Sequence, residues 1–177
     1  MQRTRTDRAK KITFIIISVV LCAFLILIDQ LSKIYFKNKF HNDGSTTVID
    51  GFFYFTYTVN TGSAFSFLAG KKWAQIFFKI LTPLSLILFS YIFVQSVKHG
   101  KKFMSISVVL IISGAIGNFI DRLLFNGVSD FISLQFGDYF FPIFNFADMC
   151  LTVGVFMFVL FLLFIDKNAV FRRNAKK

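Results

Sequence analysis

The sequence predicts an all-α membrane protein of four transmembrane helices, with a small β-sheet or hairpin and a membrane-lying segment on the outer face. Three observations lead there. The 177 residues are 55% hydrophobic and include 27 Phe, a composition foreign to ordinary soluble domains. The apolar residues fall into four runs, at about 12–35, 73–97, 103–125 and 146–165, each too long for a core helix. Lys and Arg alternate between dense and sparse links, as they do in multi-span proteins.

Taken in order, Ile12 to Ile28 is interrupted only by Thr13 and Ser18, enough to cross most of a bilayer core. Its basic start looks like a secretory signal, but Asp29 and Lys33 follow in place of a small-residue cleavage pattern, so a retained helix is expected. The next link, Phe36 to Lys72, holds a β-branched and aromatic run from Thr46 to Asn60 with Asp50-Gly51 at its turn, a hairpin signal. The second span begins at Trp73, which with Lys71 and Lys72 forms an interface anchor, and Lys79 is expected to snorkel outward. The third runs from Phe103 to Phe125. The link Asn126 to Asn145 carries Phe131, Phe136, Phe140, Phe141 and Phe144, too apolar for a free loop, and is expected to lie on the membrane or over the helix ends. Met149 to Ile165 makes the fourth span. With no internal repeat or linker, residues 1–177 read as one integral membrane domain.

Basic residues cluster before the first span (Arg3, Arg5, Arg8, Lys10, Lys11), between the second and third (Lys98, Lys101, Lys102) and after the fourth (Lys167, Arg172, Arg173, Lys176, Lys177). The positive-inside rule puts these three segments, and both termini, in the cytoplasm. The net charge of +11 is therefore mostly a topology signal, and the scatter of charge without stacking aromatics argues against a nucleic-acid partner. Cys22 and Cys150 lack disulfide or metal spacing and read as packing thiols; His41 and His99 sit in links, without metal-ligand spacing.

Helical rise then gathers the polar residues at one depth. Asp29 lies roughly 25 Å beyond Ile12, and Asp121 with Arg122 about 27 Å beyond Phe103. Asn145 and Asp148 open the fourth span on that same side, and Asn60 and Asp130 reach it from the external links. Gly114, Asn118 and Asp121 share one helical face, kept thin by Ser113 and Gly117, while Asp29 and Lys33 have the spacing of an internal ion pair. Each residue has a structural reading too: Asn145 or Asp148 as a helix cap, Asp130 as a loop residue, Asp121 and Arg122 as a mutual ion pair. Neither a Ser-His nor a Cys-His pair nor a metal set is visible, so no metal or cofactor is expected. Two close carboxylates can instead share a proton, one as base on a water and one as acid. The amides Asn60, Asn118 and Asn145 suit orienting a peptide, and Arg122 a lipid or backbone oxygen. On composition alone Asp121 is as good a partner as Asp130.

Five blocks in order, DQLSK (29–33), NTGSAF (60–65), GAIGNFIDR (114–122), VSDF (128–131) and FNFAD (144–148), resemble the lipoprotein signal peptidases, signal peptidase II, over nearly the whole chain. The resemblance implies an aspartic endopeptidase of the bacterial cytoplasmic (inner) membrane, its site at the outer leaflet. It removes the signal peptide from diacylglyceryl-modified prolipoproteins just before the lipidated cysteine. The implied partners are that substrate and membrane lipid, with the enzyme monomeric and free of cofactor. The resemblance places the catalytic pair on Asp130 and Asp148, substrate contacts or site supports on Asn60, Gly62, Asn118, Arg122 and Asn145, and the architecture on Asp29, Lys33, Gly114 and Asp121. Arg122 beside Asp121, expected to keep it ionised, also favours Asp130 for the pair. Ser113 and Ser66 depart from the family's usual glycines. A small proton- or ion-coupled transporter subunit and a membrane scaffold are the rivals; carboxylates at the outer boundary, without repeated broken helices, weigh against the transporter.

Overall fold

The apolar runs become four long helices in the computed structural model, which describes residues 2–40, 44–62 and 72–166. The elements are α1 (Gln2–Lys39), β1 (Thr46–Ile49), β2 (Phe53–Asn60), α2 (Lys72–Lys98), α3 (Lys102–Phe125), β3 (Val128–Phe136), β4 (Tyr139–Phe140) and α4 (Phe146–Leu160). A π-helical turn, Phe161–Ile165, prolongs α4. Within them, Asp7–Lys39, Gln75–Lys98, Lys102–Phe125 and Phe146–Ile165 are long and apolar enough to cross a membrane. Rows such as Ile16, Val20 and Leu27 on α1, or Ile80, Leu84 and Ile87 on α2, are exposed, as lipid-facing side chains are. His41, Ser66, Lys71 and the basic residues 167–177 lie outside the described residues.

Helix α3 is central and packs on α1, α2 and α4 through small residues. A Cβ on Gly114 would collide with the backbone carbonyl of Ala147, and one on Gly117 would come within 2.5 Å of Asp29 Oδ2. From the other side, Gly154 of α4 leaves room for Ile111 and the Ser107 carbonyl. The thin face expected of α3 is thus where α1 and α4 approach it.

The hairpin forms as expected, with β1 antiparallel to β2. The sheet is larger than a hairpin, because the second external link is not merely laid over the helix ends: it supplies β3 and β4, giving the order β1-β2-β3-β4. Strand β3 is an inner strand with both faces covered over residues 128–131, so its sequence lacks the apolar–polar alternation that betrays a half-exposed strand. After β4 the chain doubles back. The Phe144 carbonyl accepts from Phe131 N (3.0 Å) and Ile132 N (2.8 Å), and Phe144 N donates to the Ile132 carbonyl (3.0 Å). The sheet is seated on the end of α1 by Phe36, Phe40 and Phe131, with Phe36 stacked on both Phe55 and Phe131 at 4.5 Å between ring centres.

Candidate active site

The sheet register sets up the first carboxylate. Asn60 pairs with Val128 and Thr58 with Asp130, so Asn60 and Asp130 are diagonal neighbours on one face. Asn60 Nδ2 donates to Asp130 Oδ2 (3.1 Å), and Asn60 Oδ1 accepts from Gly62 N (2.9 Å).

The start of α4 sets up the second. Asn145 has an extended backbone; its Oδ1 accepts from Asp148 N (2.9 Å) and Asp148 Oδ2 accepts from Asn145 N (3.2 Å), a reciprocal capping box. The cap expected from sequence is present, and it is also part of the site. Asn145 Nδ2 reaches Asp130 Oδ1 (2.6 Å) and Asn118 Oδ1 (3.1 Å), while Asn118 Nδ2 donates to Asp148 Oδ1 (2.8 Å). Three amides therefore hold the two carboxylates in one network.

Beneath it lies a buried ionic base. Lys33 Nζ is 2.8 Å from Asp29 Oδ2, 3.5 Å from Asp121 Oδ2, and donates to Asn118 Oδ1 at 3.1 Å. Asp29 Oδ1 accepts from Ala147 N (2.9 Å), and Asp121 Oδ2 from Ser129 N (2.8 Å). Each of these aspartates thus fixes the backbone just before one of the two site carboxylates. A buried cation shared by two carboxylates and an amide oxygen has its lost hydration replaced by charge and hydrogen bonds. Gln30, unassigned from the sequence although it lies within DQLSK, joins the base by donating to Asp29 Oδ2 (3.0 Å) and the Gly117 carbonyl (3.1 Å).

One expectation is corrected here. Arg122 does not pair with Asp121, because consecutive helical residues point apart; Lys33 neutralises Asp121 instead. Arg122 Nη1 donates to the Asn118 carbonyl (3.4 Å), and its guanidinium lies 4.9 Å over the Phe78 ring. Its Nε is buried without a hydrogen-bond partner among the described residues. Lys79 reaches Asn126 Oδ1 (2.8 Å) at an exposed position.

Asp130, Asp148, Asn60, Gly62, Asn118 and Arg122 face a common cleft of about 770 Å³. Its other walls are apolar: Leu134 and Phe136 of β3, Phe141 and Phe144 of the returning segment, Met149 and Val153 of α4. Thr152, one turn after Asp148 and passed over in the sequence, also lines it. Asn145, Asp121, Asp29 and Lys33 stand behind the wall, buried, and Gly114 lies at the α3–α4 contact. Burial, and then the charge of Asp148, push the Asp130 carboxyl up to about 7, against the opposing pull of Asn60, Asn145 and Lys33. One carboxyl of the pair is thus able to hold a proton near neutrality.

Two carboxylates on one cleft, at the end of a four-helix membrane protein, are the equipment of a membrane aspartic peptidase. Residues 10–164 match the family model described as signal peptidase (SPase) II, and the chain belongs to that family. It is 40% identical over 144 residues to the lipoprotein signal peptidase of Listeria welshimeri, covering 81% of this chain and 91% of that protein. It is 40% identical to that of Bacillus pumilus over 152 residues, covering 84% and 94%. Among solved structures it resembles two described as bacterial membrane enzymes, both 36% identical. Their TM-scores are 0.73 and 0.72, with 82% and 84% of this chain covered and 87% and 94% of theirs.

Proposed function

We propose that this protein removes the signal peptide from diacylglyceryl-modified prolipoproteins, cutting just N-terminal to the lipidated cysteine, with Asp130 and Asp148 as the catalytic pair. The observation that carries the reading is that both carboxylates line one cleft while amides and a buried Lys33 fix them from behind. In the reaction the ionised carboxylate takes a proton from water as the water attacks the scissile carbonyl. The protonated partner donates its proton to the carbonyl oxygen, giving a gem-diol. As the C–N bond breaks, the first carboxyl gives its proton to the departing amine and the partner takes back the proton of one diol hydroxyl as the C=O bond re-forms.

Asn60, Gly62, Asn118 and Arg122 face the space where the peptide would lie. A buried Arg122 Nε–H without a partner is costly, and a substrate carbonyl or ester oxygen would satisfy it. The apolar walls suit the acyl chains. Asn145, Asp29, Lys33 and Asp121 act as positioning residues. The basic clusters support an orientation with both termini in the cytoplasm and the cleft at the outer leaflet.

A gel-shift assay with purified protein and a lipidated precursor tests the reading. Asp130→Asn and Asp148→Asn are each expected to lower cleavage by at least about 10²-fold while still unfolding in one cooperative thermal transition in detergent. Activity in Asp130→Asn with none in Asp121→Asn would move the pair to Asp121.

A further inference from the structure

A second cleft, of about 670 Å³, opens at the other end of the helices. Helical rise along α3 from Lys102 to Asp121 puts it roughly 28 Å from the ionic base of the active site. Its rim carries Lys10 and Lys11 of α1 and Lys102 at the start of α3, against a single acid, Asp7. Its apolar walls are Phe14 and Ile17 of α1 and Val97 at the end of α2. Ile17 lies about 10 Å further along α1 than Lys10, so the cavity runs from the level of the cations into the apolar span.

The frame of this cleft is fixed. Lys11 Nζ donates to the Lys98 carbonyl at the end of α2 (2.9 Å), which ties α1 to α2 across the opening. Ser105, fully buried at the floor, is 2.7 Å from Ser96 Oγ and donates to the Lys101 carbonyl. Gly100, at φ +71°, turns the chain between α2 and α3, and a Cβ there would meet nothing within 4 Å. Lys101 is taken by Asp166. The side-chain ammonium groups of Lys10 and Lys102, by contrast, have no hydrogen-bond or ion-pair partner among the described residues.

We propose that this cleft binds an anionic glycerophospholipid, its phosphodiester between Lys10 and Lys102 and the first part of its acyl chains against Phe14, Ile17 and Val97. Topology alone would account for lysines beside a span. It would not account for an apolar cavity running inward from them, with two cations left over at its mouth. Basic pockets between spans are where anionic headgroups collect. The acyl-lined depth separates this ligand from a soluble anion, for which the apolar wall has no use.

The test uses full-length protein stripped of lipid in mild detergent and titrated, under native mass spectrometry, with phosphatidylglycerol or phosphatidylcholine of the same chains. Phosphatidylglycerol should be retained preferentially. Each lysine removed should weaken it about fivefold, and Lys10→Gln/Lys102→Gln together about 25-fold. Lys37→Gln/Lys39→Gln, which removes the same charge at the opposite end of α1, should leave retention unchanged. An unaltered thermal midpoint without lipid checks that the variants are folded. Equal retention of the two lipids, equal loss in both double variants, or displacement by excess inorganic phosphate would overturn the proposal.

Discussion

Asp130 is held between opposing influences, and the balance gives it a measurable signature. Its carboxyl sits at about 7 in the folded protein against 3.8 ordinarily, so between those values the native state keeps a proton that the unfolded chain has lost. Stability from this group is complete below about pH 4 and falls as pH rises through 7, by on the order of 4 kcal/mol at ~1.4 kcal/mol per unit. Thermal unfolding in detergent should therefore show a midpoint that declines from pH 5 to 8 in the wild type. Asp130→Asn, which cannot titrate there, should lack that part of the decline; parallel slopes in the two proteins would contradict the assignment. At this scale the sequence was legible where partners are helical neighbours, as with Asp29 and Lys33. It misled at Asp121, since chain adjacency suggested Arg122 while the actual cation, Lys33, comes from a different helix. Gln30 escaped notice for the same reason: its partner carbonyl, Gly117, lies on a different helix.

Among the elements, the contact between α3 and α4 admits the least alteration. Gly114→Ala would drive a methyl into the Ala147 backbone carbonyl and the Leu151 side chain, neither of which can withdraw without shifting the start of α4. Overpacking of this kind typically costs about 1–3 kcal/mol. A lowered thermal midpoint should appear together with lost cleavage, because Asn145 and Asp148 move with that helix end; an unchanged midpoint would show that α4 is free to shift. The small residues of α3 advertised this contact through spacing alone, as Asp50-Gly51 advertised the hairpin. Strand β3 could not be read so directly. Buried on both faces beside the site, it carries Ser129, Asp130 and Ser133 inside the fold, where the usual polar-out rule does not apply.

For the molecule as a whole, the length of α1 sets the layout. Asp7–Lys39 is 33 residues, about 50 Å of helix against a hydrocarbon core of roughly 30 Å. The excess carries Phe36 and Phe40 to the sheet, whose mounting on them is legible only once the fold brings Phe55 and Phe131 alongside. With Cys22 and Cys150 replaced, an impermeant thiol reagent should label Thr47→Cys in intact cells and Lys98→Cys only after permeabilisation. The reverse pattern would invert the proposed orientation. The capping box at Asn145 and Asp148 has a consequence for the order of synthesis. A growing chain that has threaded three spans already contains Asn60, Asn118 and Asp130, yet it lacks the residue that bridges them and the second carboxylate. Both arrive with the first turn of the last helix, and the amide that starts that helix is the one that joins the pair. If Asp130 and Asp148 are the catalytic pair, as proposed, a half-made chain would be inert toward lipoproteins around it, and competence would come when the final helix docks.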